Sequence, residues 1–167
     1  MSAAEYLTVQ EALTAVLAGV SVLPAERVPL LDGLGRVLAE KVVARDSLPP
    51  FANSSMDGYA LIAADLDGAG KQSPATLRVV GDVAAGAVPN VTVERGTAVR
   101  IMTGAPVPPG ADAVVPVEDT NEAWRDRERP LPEQIQVTRT VKSGDYIRHP
   151  GEDIEAGQTI LEKGHIL

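Results

Sequence analysis

The chain begins with apolar positions at helical spacing. Five such positions follow Thr8 at intervals that place them on one face of a helix: Val9, Ala12, Leu13, Val16 and Leu17. Glu11 stands three residues after Thr8, which is the spacing of a capping box, and Gly19 supplies a C-terminal stop. We therefore predict a helix between Thr8 and Gly19. A second, shorter helix is predicted within Leu31–Leu38, although two glycines lower its helix propensity.

The rest of the chain carries strand-like patterns separated by turn residues. In Ile135–Val141 apolar residues alternate with glutamine and threonine, which is the period of a half-buried strand. The other predicted strands are Lys41–Ala44, Leu77–Val83, Thr97–Met102 and Ala113–Val117. The tail Gly151–Leu167 predicts short strands broken by glycine turns. The charged segment Asn121–Glu133 predicts a solvated loop or the tip of a hairpin. The expected fold class is α+β, mostly β.

Charge and composition exclude several classes of function. The chain has 167 residues and a formal net charge of −8, so it lacks the broad basic surface that nucleic-acid binding requires. It contains no cysteine, which excludes thiolate nucleophiles, disulfides and cysteine-containing zinc sites. No apolar run approaches the ~18 residues of a membrane span, and Met1–Gln10 lacks the layout of a secretory signal. We expect a cytoplasmic protein without a nucleic-acid or membrane partner.

The densest polar segment is Pro49–Ala60, which reads PPFANSSMDGYA. Two prolines stiffen its entry, and two aromatics, three small hydrogen-bonding side chains and a carboxylate follow. Such a composition suits a ligand-facing loop. Asp57–Gly58 is also a turn dipeptide, in which the aspartate accepts hydrogen bonds from nearby backbone amides. Both interpretations of Asp57 stay open on the residues alone.

Two further segments combine turns with groups able to bind anions. Arg100–Ala113 leads from a strand into a proline-rich loop, and Thr103 there is either a donor to an oxyanion or an ordinary strand-end hydrogen-bonding residue. Arg100 could add a charge, although strand alternation could point it elsewhere. In Ser143–Ile154, Arg148 can hold an oxyanion through its forked donors. The adjacent carboxylates of Glu152 and Asp153 allow the alternative of a turn with a salt bridge.

Several motifs in order resemble the molybdopterin molybdenumtransferase family. They are Leu48–Ala60 (LPPFANSSMDGYA), Val99–Val115 (VRIMTGAPVPPGADAVV), Gly151–Ile154 (GEDI), and the shorter Gly35–Ala39 and Asp145–Arg148. The resemblance extends from about Thr8 to Leu167. Enzymes of this family insert molybdate into adenylylated molybdopterin with release of AMP, and the C-terminal region of gephyrin is related to them.

The resemblance implies two domains of a longer enzyme. Residues 1–47 and 151–167 would form an elongated, discontinuous N-terminal domain, and residues 48–150 an inserted β-rich domain. The family continues with a substrate-binding α/β domain and a C-terminal β-domain, neither of which is within this sequence. We therefore expect an N-terminal fragment that is inactive alone.

The resemblance also implies roles for four residues. By position, Asp57 and Thr103 match family residues associated with catalysis, and Arg148 and Asp153 fall where the family binds substrate. The family is dimeric with an active site shared between subunits, and Mg²⁺ is its implied cofactor; which residues contact the metal is unknown. Molybdate and adenylylated molybdopterin are the implied substrates.

Two positions depart from the family pattern. Ala52 stands where the family often has an acidic residue, and His149–Pro150 stands where further arginines often follow Arg148. The second departure weakens the positive potential beside Arg148.

Two other classes of function remain as alternatives. One is a stand-alone, non-catalytic module for binding or dimer assembly, and the other is a carboxylate-based cation-binding domain.

Overall fold

The computed structural model describes residues 6–122 and 130–167. Among these residues there are one α-helix and nine short strands, which confirms the α+β, mostly β class. Most of the predicted loop Asn121–Glu133 lies outside the described residues. The elements in chain order are α1 (Val9–Leu17), β1 (Val42–Val43), β2 (Asn53–Ser54), β3 (Gly58–Leu61), β4 (Ala75–Val83), β5 (Thr97–Ile101), β6 (Ala113–Pro116), β7 (Gln134–Val137), β8 (Ile147–Arg148) and β9 (Thr159–Leu161). Three single turns of 3₁₀-helix occupy Leu30–Asp32, Ala63–Leu66 and Val117–Asp119.

The first helix forms as the capping pattern predicts. The amide of Glu11 donates to Thr8 Oγ1 at 3.3 Å, and Glu11 Oε2 accepts from the Thr8 amide at 2.7 Å. Glu11 Oε2 also accepts from the Thr8 hydroxyl at 2.7 Å. The hydrogen bonds that this carboxylate accepts, first from the Thr8 amide and then from the Thr8 hydroxyl, lower the pKa of Glu11. All of α1 is described, and none of its side chains is buried.

The predicted second helix is wrong. Leu30–Asp32 makes one 3₁₀ turn, and a second turn follows at Leu34–Gly35. Gly35 has a left-handed φ of 77°, which a helix cannot contain. The backbone instead bonds to the end of the chain, where the Gly35 amide donates to Leu167 O at 2.8 Å and the Leu38 amide to His165 O at 2.8 Å. Pairing with a distant segment has therefore overridden a weak helical pattern.

A five-stranded sheet forms the core, with strand order β6-β3-β5-β4-β7. The β4–β5 pair is parallel and the other pairs are antiparallel. Every residue of the central strand β5 is buried, because apolar clusters cover both faces of the sheet there. Successive residues of β5 thus face two buried sides of the sheet rather than a buried side and an exposed one.

The outer strand β7 behaves as a half-buried strand should. Ile135 and Val137 are buried, whereas Gln134 and Gln136 are exposed. The strand ends at Val137 rather than continuing to Val141 as predicted. Away from this sheet, β1 pairs with β9 and β2 pairs with β8.

The chain divides into two compact units. Residues up to Val42 join with Leu161–Leu167 in one unit, and Val43–Ile160 forms the other. The first unit is therefore discontinuous. The domain boundaries that the family resemblance implies stay a prediction.

The first unit leaves most of its large apolar side chains exposed among its described residues. None of its large apolar side chains is buried among its described residues. On α1 the exposed fractions are 87% for Val9, 49% for Leu13, 69% for Val16 and 55% for Leu17. In the part of the chain that is described, no helix is both long and apolar enough to cross a bilayer.

Candidate functional site

The turn before β3 places Asp57 at one end of the sheet. Ser54 Oγ donates to Met56 O at 2.6 Å, and the Met56 amide donates back to Ser54 Oγ at 3.2 Å. Gly58 follows in close contact with β6, where a Cβ atom would lie 1.9 Å from Val115 O. Only glycine fits this approach, so the Asp-Gly pair fixes both the turn and the start of β3.

Asp57 holds a residue 46 positions away in sequence. Its Oδ1 accepts from the Thr103 amide at 2.7 Å and from the Thr103 hydroxyl at 2.8 Å. The structure therefore brings together the two residues that the family resemblance assigned to catalysis. The Asp57 side chain thus accepts a hydrogen bond from a backbone amide, as a turn aspartate does. That amide belongs to the residue after the end of the neighbouring strand β5 and not to the turn that contains Asp57.

The arrangement changes what Thr103 can contribute. Its amide hydrogen and its hydroxyl hydrogen both go to Asp57, so neither donates to an oxyanion in this conformation. The hydroxyl oxygen still has lone pairs that can accept from a ligand. The predicted role of Thr103 as an oxyanion donor would require breaking its contact with Asp57.

Asp57 and Thr103 line a cleft of about 360 Å³. The cleft lies where the parallel strands β4 and β5 end, since its other lining residues are Asp82, Ala84, Ala85, Arg100 and Met102. Carboxyl ends of parallel strands meet at one edge of a sheet, and the turn before β3 reaches the same edge because β3 is antiparallel to β5. The fold thus collects three carboxylate or hydroxyl side chains and one cation around one opening.

Arg100 is the one cation among the described residues that line this cleft. It pairs in register with Asp82 across the parallel β4–β5 ladder, and its Nη2 lies 3.5 Å from Asp82 Oδ2. The Arg100 side chain is 9% exposed, whereas that of Asp82 is 47% exposed. The guanidinium therefore belongs to the cleft wall, and the carboxylate lies at the solvent side.

Arg148 and Asp153 form a second polar group that does not line this cleft. Arg148 makes a close ion pair with Asp153, and its Nε lies 3.3 Å from Glu152 Oε1. These contacts, first with Asp153 and then with Glu152, raise the pKa of Arg148. The turn-with-salt-bridge interpretation accounts for this geometry, and a substrate-binding role for Arg148 and Asp153 stays a prediction.

The strand β2 connects the two groups. Asn53 pairs in register with Arg148, and Ser54 O accepts from the Gly104 amide at 2.8 Å. The motif Pro49–Ala60 thus contacts both other motifs through its backbone.

The two departures from the family pattern lie together. Ala52 and His149 both line a separate cleft of about 460 Å³, together with Val107, Ala111, Asp112, Ser143, Gly144 and Ile147.

The described residues contain no group of three or more histidine or carboxylate side chains that could hold a metal ion. Mg²⁺ characteristically takes only one or two protein carboxylates and completes its shell with water and substrate oxygens. Asp57 and Asp82 line the same cleft and are a donor set of that size. A magnesium ion in this cleft stays a prediction, and Asp57 or Asp82 would be its protein ligand.

The sequence pattern does not indicate Asp82 as a site residue, and it leaves open whether Arg100 faces the site. Asp82 lies inside an otherwise ordinary strand pattern, and nothing in its spacing marks it. The informative signal is its register with Arg100, which depends on the parallel pairing of β4 with β5. Parallel pairing between strands separated by a long connection is not visible in a single sequence.

Comparison with known proteins identifies the family. The family described as "MoeA N-terminal region (domain I and II)" matches residues 7–167. The chain belongs to this family.

Curated relatives and a solved structure agree with this assignment. The chain is 45% identical over 140 residues to molybdopterin molybdenumtransferase 2 of Mycobacterium tuberculosis, an alignment that covers 84% of this chain and 33% of the relative. It is 39% identical over 164 residues to the molybdopterin molybdenumtransferase of Synechococcus elongatus, covering 96% and 39% of the two chains. The crystal structure of the molybdopterin biosynthesis moeA protein from Pyrococcus horikoshii superposes with a TM-score of 0.82 at 36% identity, covering 95% of this chain and 40% of that one. The chain thus spans between a third and two fifths of the length of these relatives.

Proposed function

We propose that this chain is the N-terminal part of a molybdopterin molybdenumtransferase, which inserts molybdate into adenylylated molybdopterin with release of AMP. The observation that carries the proposal is the family match over residues 7–167 together with the paired Asp57 and Thr103 in one cleft. The relatives are molybdenumtransferases by name. A cytoplasmic location is part of the proposal.

Asp57 and Thr103 act as one catalytic unit in this proposal. Asp57 fixes the rotamer of Thr103 by accepting both of its donors, and its carboxylate remains on the cleft wall. A fixed acceptor of this kind can orient a hydrated metal or a donor group of the substrate without reorganisation during the reaction. Mg²⁺ would supply neutralisation of anionic oxygens when bound. Arg148 and Asp153 would bind substrate at the turn that follows β8.

A homodimer with a shared active site accounts for the exposed apolar side chains of the first unit. An apolar stripe such as that on α1 is normally buried against a partner, since large exposed apolar surfaces mark interaction sites. The same observation also supports the alternative function, a non-catalytic module for dimer assembly.

The experiment that separates these functions compares two purified proteins. We expect the full-length parent to release AMP from adenylylated molybdopterin when molybdate is added, and residues 1–167 alone to release none. The fragment lacks the remaining length that the relatives possess, which is why we expect no turnover from it. Failure of the full-length parent to insert molybdate would refute the enzymatic proposal and leave the assembly module. Turnover by the fragment alone would refute its predicted inactivity.

A further inference from the structure

We infer that Arg100 is the oxyanion-binding residue of the Asp57–Thr103 cleft and that Asp82 is its displaceable counter-ion. The inference rests on the proposed function, because it assigns the tetrahedral oxyanion of an anionic substrate to a defined side chain of the same cleft. The ligand chemistry is that of a phosphate monoester or of molybdate.

Arg100 is a buried cation. Arginine is almost never buried unless it is paired, because moving its charge out of water is costly. Arg100 lies in the middle of the sheet, in the central strand β5, with 9% of its side chain exposed. That remaining exposure is at the cleft, which Arg100 lines.

The contact between Arg100 and Asp82 is a long one. The distance of 3.5 Å between Nη2 and Oδ2 is at the outer limit of a hydrogen bond. The Asp82 side chain is 47% exposed, so its carboxylate is open to water. A tetrahedral oxyanion offers the guanidinium two parallel acceptors, which is the stronger arrangement. An incoming oxyanion can therefore replace Asp82 beside Arg100.

Asp57 is the other carboxylate in the cleft. Asp57 carries a negative charge that opposes an anion. Its Oδ1 accepts two hydrogen bonds from Thr103, which stabilise the carboxylate and hold it at the end of β5. Both donors of Thr103 are used in this way, so Thr103 does not donate to the anion. Among the described residues that line the cleft, the side-chain donor for an anion is therefore the guanidinium of Arg100.

A purely structural role for the pair makes a different prediction. If Asp82 and Arg100 only clamp β4 to β5, either substitution lowers stability and neither changes anion binding. If Asp82 is a displaceable counter-ion, the two substitutions change anion affinity in opposite directions. The sign of the effect of Asp82→Asn therefore separates the two roles.

The test measures binding of AMP and of sodium molybdate, separately, to the full-length parent by titration calorimetry. We expect Arg100→Lys to weaken binding of one of these anions about tenfold, because a bidentate donor becomes a point charge. We expect Asp82→Asn to tighten binding of the same anion about threefold or more, since a competing carboxylate is gone. The matched pair Arg139–Asp119, whose Nη1 and Oδ2 lie 3.2 Å apart outside the cleft, supplies the controls Arg139→Lys and Asp119→Asn.

The two arms identify the source of the oxyanion. An effect on AMP alone places the phosphate ester at Arg100, and an effect on molybdate alone places molybdate there. If Arg100→Lys does not fold, the Asp82→Asn variant alone tests the inference. The Asp82 side chain is half exposed, so we expect this variant to fold. Unchanged or weaker binding of both anions in Asp82→Asn overturns the inference. Turnover of the native parent is measured in parallel. If the parent is active but the substitutions leave anion binding unaltered, the inference is refuted and the proposed function is not. If the substitutions alter anion binding but the parent is inactive, the proposed function is refuted and the inference is not.

Discussion

Replacing Asp57 by asparagine tests whether the contact with Thr103 has the strength that its geometry implies. Asparagine keeps an oxygen at the Oδ1 position, so both hydrogen bonds from Thr103, at 2.7 and 2.8 Å, can persist without the negative charge. Hydrogen bonds to charged groups contribute about 1.5–3 kcal/mol and neutral ones about 0.5–1.5 kcal/mol. Solvent at this exposed contact reduces the difference. We expect Asp57→Asn to lower the free energy of unfolding by about 1 kcal/mol, a fall of about 2–4 °C in Tm.

A double-mutant cycle isolates the contact itself. Thr103→Val removes the hydroxyl bond and leaves the amide bond, so it should cost about 1 kcal/mol in the native background and less in the Asp57→Asn background. Urea denaturation of the 167-residue chain, with the single and double variants, gives the coupling free energy. We expect a coupling of about 0.5–1 kcal/mol between the two positions. A coupling of zero would refute the hydrogen-bonded pair, and a loss above about 4 kcal/mol for Asp57→Asn alone would assign Asp57 mainly to maintaining the fold.

Three further predictions follow from other parts of the structure. Gly58→Ala should destabilise the chain by about 3 kcal/mol in urea denaturation, because its Cβ would lie 1.9 Å from Val115 O, and a loss below about 0.5 kcal/mol would contradict that close approach. The NMR chemical shift of the Glu11 carboxyl carbon should titrate with a midpoint below pH 4.5. The contribution of the capping box to stability is therefore complete above pH 4.5 and is lost as pH falls through the lowered pKa. A midpoint at or above 4.5 would contradict the capping box. Leu13→Glu, on the exposed stripe of α1, should convert the full-length parent from dimer to monomer in sedimentation velocity, whereas Glu11→Gln on the same helix should not. An unchanged dimer in Leu13→Glu would exclude the stripe as the interface.

Local signals were enough to predict the elements whose stability is local. Thr8 and Glu11 define the start of α1 through hydrogen bonds between residues three apart, and the alternation of Ile135 with Gln136 reflects one buried and one exposed face of β7. These features depend on neighbours in the sequence. They are therefore readable from it.

Features that depend on distant contacts were not predictable in this way. The amides of Gly35 and Leu38 bond to the end of the chain at Leu167 and His165, and no local pattern encodes that pairing. The contact between Asp57 and Thr103 required the family resemblance to suggest it. The contact between Asp82 and Arg100 required the parallel register of β4 and β5.

The central claim is that the Asp57–Thr103 cleft serves molybdenum insertion in the full-length parent. The most direct test is the rate of molybdate-dependent AMP release by the Asp57→Asn parent, measured beside its Tm and beside the control Asp119→Asn. We predict a fall of about 100-fold in kcat with a Tm only a few degrees below that of the native parent, because a fixed electrostatic group of the site is lost while the fold persists. The control should retain the native rate. A native rate in Asp57→Asn, or a loss of rate that only matches a loss of folded protein, would contradict the claim.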